Sequence, residues 1–412
     1  MHILVINSGS SSIKFSMYSG DGAEPQSLFE GEASGIGSEK ARLKFEDAAG
    51  RDLSGRTSEA KARSQLEAIA LVVQTLKRAE MPPVRAVGYR VVHPGPKLKR
   101  HVRITDEVMR ELKAAAEFAP LHDPAAIEII EEMMRRYPVA AHYACFDTVF
   151  HETMPEEASS YALPVHDRES GVRRYGFHGL SCESVVRQMR MMGIRLPQRM
   201  VIAHLGSGCS VTAVLAGRSI DTTMGLTPTG GVVSGTRPGD LDPGVVLFLA
   251  RKMEREQGTG NKEQNCPLNE LERLLNYESG TAGLAGLAND MRLIREAAAK
   301  GDERAQLAIK VFTRGVRKAI GSFSWLMGGL DALVFTGGIG EHDAKTRAEI
   351  LDGLEEQGVQ LKPGLNASEN LRKDERLRAI HASESRTRVF IVPSREDLTI
   401  AAHVARMSQE GT

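Results

Sequence analysis

Three small-residue turns offer phosphate chemistry. Asn7-Ser8-Gly9-Ser10-Ser11-Ser12 lies between apolar runs at 3–6 and 13–18. His204-Leu205-Gly206-Ser207-Gly208-Cys209-Ser210 lies between runs at 200–203 and 211–215. Thr336-Gly337-Gly338-Ile339-Gly340-Glu341 follows the run 331–335. Small residues leave backbone N–H groups uncovered, hydroxyls add donors, and Lys14 adds a positive charge behind the first turn. Two such tips and a third glycine turn point to a bipartite nucleotide site. The Walker pattern, G-x-G-x-x-G, G-x-S-x-G and H-E-x-x-H are all absent, so the nucleotide-loop, dinucleotide, hydrolase-elbow and zincin classes are not indicated.

The elements that must hold these turns follow from periodicity. The first two turns read as hairpin tips. Gly9-Ser10 and Gly206-Ser207 are 197 residues apart in a chain of 412, so the pattern returns after about half the chain, as in a duplicated domain. Leu66, Ile69, Val73 and Leu76 give helical spacing within 57–80. Residues 85–92 read as a buried strand. Asp123-Pro124 is a helix start and Pro138 its stop. Residues 140–146 read as a strand ending at Asp147. The third glycine turn is a tight turn between a strand and a helix that begins near Lys345. The stretches 254–267 and 366–388 read as surface excursions.

Composition bounds the partners. Lys plus Arg and Asp plus Glu are 53 each, and hydrophobic residues make up 41%. A zero formal charge argues against a general nucleic-acid binder and against an electrostatic membrane anchor. No run approaches the ~18 apolar residues of a membrane span. The opening Met1-His2-Ile3-Leu4-Val5-Ile6 lacks the basic start and apolar length of a secretory signal. Cys145, Cys182, Cys209 and Cys266 form no metal or disulfide pattern. A cytoplasmic protein is expected, with no nucleic acid and no membrane partner.

The turns also carry a resemblance. Asn7-Ser8-Gly9-Ser10-Ser11-Ser12-Ile13-Lys14-Phe15 resembles the opening signature of acetate kinases. The likeness continues through Tyr89-Arg90-Val91-Val92-His93, Ala119-Pro120-Leu121-His122-Asp123-Pro124 and Cys145-Phe146-Asp147-Thr148-Val149-Phe150-His151. It runs on through Arg173-Arg174-Tyr175-Gly176-Phe177-His178-Gly179, the 204–208 loop, Met224-Gly225-Leu226-Thr227-Pro228 and Gly235-Thr236-Arg237-Pro238-Gly239-Asp240-Leu241-Asp242-Pro243. It closes with Asn289-Asp290-Met291-Arg292, the third glycine turn and Glu396-Asp397-Leu398. The resemblance spans the whole chain and implies an α/β fold of two duplicated ribonuclease-H-like domains, of the actin, sugar-kinase and Hsp70 type, with an interdomain nucleotide cleft. Each domain is expected to hold a mixed five-stranded sheet. The implied boundaries are 1–149 plus about 397–412 for the N-terminal domain, and about 150–396 for the C-terminal, nucleotide-binding one. The implied reaction is reversible transfer of the γ-phosphoryl group of ATP to acetate, giving ADP and acetyl phosphate. Mg²⁺ is the implied metal, with Mn²⁺ as a substitute, and the chain is expected to form a homodimer. Domain closure over ATP would exclude water.

The resemblance also assigns roles. A carboxylate attacking a γ-phosphoryl group brings two anions together, so positive groups must gather them. Arg90 matches the substrate-binding arginine and Arg237 the transition-state arginine, and an arginine fork suits both tasks. His178 matches a transition-state histidine; His122 and His204 match histidines near the phosphoryl group. Asp147 matches the essential catalytic acid. An ordinary carboxyl with a pKa of about 4 is already ionised at neutral pH, and the nucleophile needs no base. Asp147 is therefore expected to act through Mg²⁺, its waters, or alignment of its neighbours. Asn7 and Glu396 match the magnesium positions, and their oxygens are the hard donors Mg²⁺ prefers; they come from opposite ends of the chain. Arg90, Val92, Leu121, Phe177 and Pro228 match the acyl pocket. Ser10, Ser12, Lys14, His204, Leu205, Gly206, Ser207, Gly208, Asp290, Met291, Arg292, Gly338, Ile339, Gly340, Glu341 and His342 match the nucleotide contacts.

Three positions depart from the family pattern. Ser207 and His342 stand where asparagines are usual, and Thr229-Gly230-Gly231 replaces a Leu-Glu-Gly run. Ser207 bears on a phosphate contact and His342 on adenine contacts. A propionate or other short-chain acyl kinase is the rival enzyme, and a chain-length series separates the two. A nucleotide-binding regulator that lost catalysis is the rival of another class, and the presence of the catalytic side chains speaks against it. A nucleic-acid-binding relative would carry an added basic helix-turn-helix module, whereas these residues open at once on a strand pattern.

Overall fold

The computed structural model describes residues 1–9, 12–22, 24–38, 41–54, 62–78, 81–118, 123–256, 267–367 and 375–410. Two compact units emerge: Met1–Val149 with Arg395–Thr412, and Phe150–Ser394. Ser10, Leu121, His122 and Cys266 lie outside the described residues.

The first unit is built on β1 (His2–Ser8), β2 (Ser12–Ser19), β3 (Gln26–Ser34), β4 (Arg42–Asp47), β5 (Ala86–Val91), β6 (Val102–Arg103) and β7 (Ala141–Phe146). Their sheet order is β4-β3-β2-β1-β5-β7-β6. β1 and β2 form the expected hairpin, closing on Ser8 and Ile13. β1, β5 and β7 are parallel neighbours. The run Ile3-Leu4-Val5-Ile6 is wholly buried, as a strand covered on both faces requires. Leu4, Ile6, Val87 and Tyr89 share a core with Ile69, Val73 and Leu76 of the helix Gln65–Arg78 and Ile130 of the helix Asp123–Arg136. Leu66 points outward instead, 39% exposed. On the other face, the helix Glu396–Glu410 lies so close to β5 that a Cβ on Gly88 would sit 2.7 Å from Ile400 and 2.8 Å from Val404.

The second unit repeats the plan with β8 (Arg199–Leu205), β9 (Cys209–Leu215), β10 (Arg218–Thr222), β11 (Ala332–Thr336), β12 (Arg378–Ala379) and β13 (Arg388–Ile391), in the order β10-β9-β8-β11-β13-β12. Alternation along β8 sends Met200 and Ile202 toward Cys182, Val185 and Met189 of the helix Gly179–Met191. Val201 and Ala203 face Phe312, Val316 and Ile320 of the helix Glu303–Leu326.

Two expectations are corrected. Among the described residues the sheets have seven and six strands, not five each. A five-stranded core is common to both, β3-β2-β1-β5-β7 and β10-β9-β8-β11-β13; β4 and the two-residue strands β6 and β12 extend it. The third glycine turn is a helix, Gly337–His342, rather than a tight turn. Gly337 enters it at φ 77°, and its N–H donates to Glu341 Oε1 at 2.9 Å. The fully buried Arg347 donates to the Gly340 and Glu341 carbonyls at 2.8 and 3.0 Å. Satisfying both ends offsets the roughly 1 kcal/mol that each interior glycine costs a helix.

Candidate active site

In the first unit, three parallel strands deliver their carboxyl ends to one place, the usual location for ligand groups in an α/β sheet. Asn7 and Arg90 sit one residue from the ends of β1 and β5, and Asp147 follows β7. Arg90 donates from Nη2 to Asp147 Oδ2 at 2.5 Å and from Nε to Oδ1 at 3.0 Å. Its Nη1 donates to Asn7 Oδ1 at 3.3 Å. The helix Glu396–Glu410 completes the cluster from its first turn: Asn7 Nδ2 donates to Glu396 Oε2 at 3.2 Å and to Asp397 Oδ1 at 3.0 Å. The sequence placed Asn7 and Glu396 together from opposite ends of the chain, and here they touch.

Charges in this cluster are strongly coupled. Burial alone would lower the Arg90 pKa, but the carboxylates of Asp147 and Glu396 outweigh it and hold the guanidinium charged. Burial pushes Asp397 up, partly offset by hydrogen bonds from Asn7 and Ser16. Asp397 is absent from the sequence-based site, although it lies in the family-like run Glu396-Asp397-Leu398. The donors around Asn7 are oxygens, and acidic groups outnumber the one arginine, so the set fits a hard divalent cation such as Mg²⁺.

Asp123, at the start of its helix, is 1% exposed. Its Oδ1 accepts from the His93 N–H at 3.4 Å. Burial pushes its carboxyl up to about 8; the His93 N–H opposes this and the charge of Asp147 adds to it. The unfolded value is near 4. Between these limits the native state keeps a proton that the unfolded chain has released, so stability falls as pH rises from about 4 to about 8. Asp123→Asn removes that titration. Its melting temperature should gain on wild type between pH 5 and pH 8; a gap that does not change with pH would contradict the assignment.

Lys14 and Ser12 also belong to this unit. Lys14 pairs in register with Asn7 and is exposed. Gly9 N–H donates to the Ser12 carbonyl at 2.7 Å, tightening the first tip. Val92, just past β5, is half-buried.

In the second unit, His178 is the residue before the helix Gly179–Met191, in the left-handed region at φ 59°, ψ 25°. That conformation costs a non-glycine residue about 1–3 kcal/mol and persists only when its surroundings hold it. Its Nδ1 lies 3.0 Å from Ser210 Oγ, and its ring stacks on His204 at 4.1 Å. His204 Nδ1 lies 2.8 Å from Ser181 Oγ. A side chain at Gly208 would begin 3.1 Å from His178 Nε2 and 3.7 Å from Arg237 Nη1. An imidazole nitrogen and a guanidinium nitrogen thus converge on one bare stretch of backbone, a suitable place for phosphoryl oxygens.

The glycine loops of this unit also meet. β8 and β11 are parallel neighbours with His204 opposite Thr336. A Cβ on Gly337 would lie 2.8 Å from the Leu205 carbonyl, and one on Gly206 would lie 3.8 Å from Gly338 N. Glu341 is half-buried and accepts from the N–H groups of Gly337 and Ser394, both at 2.9 Å. Gly338 and His342 are exposed, Ile339 half-buried and Gly340 buried. Asn289 ties the next segment in, its Nδ2 donating to Ser207 Oγ at 2.9 Å. Asp290 caps the helix Met291–Ala299 through the Arg292 N–H and pairs with the Arg292 guanidinium at 2.6 Å. Phe177 and Pro228, expected in the acyl pocket, are both buried in this unit.

A protein-family model described as the acetokinase family matches residues 2–402. An acetate kinase of Halothermothrix orenii is 39% identical over 416 residues, covering 99% of this chain and 99% of its own. Among solved structures, an acetate kinase of Porphyromonas gingivalis superposes with a TM-score of 0.82 at 32% identity, covering 99% of both chains. A propionate kinase of Francisella tularensis superposes with a TM-score of 0.85 at 33% identity, covering 98% of this chain and 99% of that one.

Proposed function

Since the chain belongs to the acetokinase family, we propose that it is an ATP:acetate phosphotransferase, making acetyl phosphate and ADP reversibly. The observation that carries this reading is the meeting of Asn7, Arg90, Asp147 and Glu396, drawn from four separate segments, at the ends of three parallel strands. An acetate oxygen attacks the γ-phosphorus in line, the new O–P bond forms, and the bond to the β-phosphate oxygen breaks to release ADP. Acetate is already ionised, so no base is needed. Asp147 takes one edge of the Arg90 guanidinium and Asn7 a third N–H, leaving the remaining N–H groups to hold an anion. Arg237 and His178 neutralise charge developing on the phosphoryl oxygens. Mg²⁺, held by Asn7 and Glu396 with waters between, would supply further neutralisation of phosphate charge.

The match of Val92, Phe177 and Pro228 to the family's acyl-binding positions supports a preference for a methyl group, with propionate as the poorer substrate. One methylene is worth about 1–3 kcal/mol, so the preference is graded. The similarity to a propionate kinase makes the chain-length series decisive. Hydroxylamine trapping with MgATP and acetate, propionate or butyrate should give most hydroxamate with acetate. More product with propionate would move the assignment to a propionate kinase, and none with any acid would remove the enzyme reading.

The chain acts as a homodimer. On the helix Pro243–Glu256 only Met253 is buried, while Val245, Leu247 and Phe248 are exposed; an apolar face of this kind fits burial by a second copy. It works in the cytoplasm. Cys145, Cys182 and Cys209 are buried free thiols, as a reducing compartment allows, and no helix among the described residues is long and apolar enough to cross a membrane.

A further inference from the structure

His151 closes the run Cys145-Phe146-Asp147-Thr148-Val149-Phe150-His151, yet nothing in the proposed mechanism uses it. It is 2% exposed, in the short 3-10 turn Val149–Thr153. Its Nε2 lies 3.0 Å from the Phe177 carbonyl and its Nδ1 2.9 Å from Ser219 Oγ. A carbonyl only accepts, so Nε2 carries the proton and donates, and Nδ1 accepts from the serine hydroxyl. Ser219 is itself fully buried on β10, and Thr153 Oγ1 donates to its carbonyl at 2.7 Å. Burial pushes the His151 pKa down to about 4, only partly opposed by the Phe177 contact, in keeping with a neutral ring.

The carbonyl that His151 grips belongs to the peptide joining Phe177 to His178, the residue held in the left-handed conformation. The residue before Phe177 is clamped as well. Gly176 is at φ 76°, and a Cβ there would meet Thr222 at 2.4 Å and the His151 ring at 2.8 Å. From the opposite side, the N–H groups of Tyr175 and Gly176 donate to the Gly225 carbonyl at 3.1 and 3.3 Å. The buried imidazole of His151 thus holds one side of the strained turn that aims His178 at Gly208.

We propose that His151 is a positioning residue: its Nε2–H holds the Phe177 carbonyl and so keeps His178 in the left-handed turn that points its ring at the phosphoryl group. This rests on the role given to His178 under the proposed function. His151→Phe keeps a ring but removes the donor; His151→Gln keeps a donor at about the same reach. His151→Phe should lower kcat by about 100-fold, the scale of a small misplacement of a catalytic group, with KM for MgATP and for acetate changed by less than about 2-fold. His151→Gln should recover kcat to within about 5-fold of wild type. In a His178→Ala background, His151→Phe should cost less than about 2-fold more, because residues acting through one another are not additive. Equal losses in the Phe and Gln variants, KM values that rise as kcat falls, or a full extra loss on His178→Ala would each overturn the proposal. If His151→Phe does not fold, His151→Asn takes its place: its shorter amide stays on the Ser219 side and does not reach the Phe177 carbonyl, and an unchanged kcat would overturn the proposal as well. A His178→Ala enzyme with wild-type kcat would remove the mechanism's use of His178 and this inference together. A slow His178→Ala beside an undisturbed His151→Phe would remove the inference alone.

Discussion

Arg237→Ala should lower kcat by about 10³-fold, with nucleotide affinity almost unchanged. Removing one preorganised donor to a developing oxyanion typically costs 10²–10³, and removing an arginine that stabilises a phosphoryl transition state costs 10³–10⁵. The lower part of that range applies because His178 shares the position: both Nε2 of His178 and Nη1 of Arg237 lie within 4 Å of the point where a Gly208 side chain would start. The loop should keep its shape without the guanidinium, since its backbone is tied independently. Ser234 N–H donates to the Arg237 carbonyl at 3.0 Å, Gly235 N–H to the Ser207 carbonyl at 2.9 Å, and Cys209 N–H to Ser234 Oγ at 2.9 Å. A loss confined to the transition state lowers kcat and kcat/KM together and leaves ground-state binding alone. Steady-state kinetics with calorimetric ADP binding separates the two. A fall in kcat of less than about 10-fold, or a matching loss of ADP affinity, would assign Arg237 to nucleotide binding instead.

Much of the scaffold was legible because it rests on local patterns. Apolar runs at 3–6, 85–92 and 140–146 became β1, β5 and β7, and the two similar turns became hairpin tips in equivalent places of two sheets. What local patterns hid were contacts between distant segments. β4 alternates as Arg42-Leu43-Lys44-Phe45-Glu46-Asp47, a short pattern that becomes a strand through pairing with β3. The Gly337–His342 helix needs Arg347 and Glu341 to satisfy its ends, which no glycine count reveals. Among site residues, Asn7, Arg90, Asp147 and Glu396 are brought together, but the residues holding His178 were not selected. Ser210, 32 residues on, meets the His178 ring, and His151, 27 residues before it, meets the preceding Phe177 carbonyl; a histidine or serine alone carries no signal of such a task. Ser207 shows the reverse case. Read as a departure that bears on a phosphate contact, its hydroxyl accepts from Asn289 and so ties the 204–208 loop to the segment 289–292.

Asp147→Asn should lower kcat/KM for acetate by about 10³-fold, through Arg90. Asp147 is 1% exposed and accepts two hydrogen bonds from one edge of the Arg90 guanidinium, from Nε and Nη2. Asparagine offers one acceptor oxygen, and its amide group would meet the guanidinium donor to donor. Breaking one side of a buried pair typically costs 3–5 kcal/mol, and 1.4 kcal/mol is a factor of ten, which gives the magnitude if Arg90 turns away from its working position. Part of the cost can instead fall on folding, so thermal unfolding must accompany the kinetics. The charge lost at position 147 also supplies an internal control. It contributes to the upward push on Asp123, so in Asp147→Asn the pH at which Asp123 gives up its proton should move down. The pH range over which wild type loses stability should then end at a lower pH in the variant. A variant that loses activity with this range unmoved would mean that Asp147 acts on the reaction without the electrostatic contact to Asp123. A variant that keeps kcat/KM within about 10-fold would mean that Arg90 holds the substrate unaided and that the pair serves stability alone.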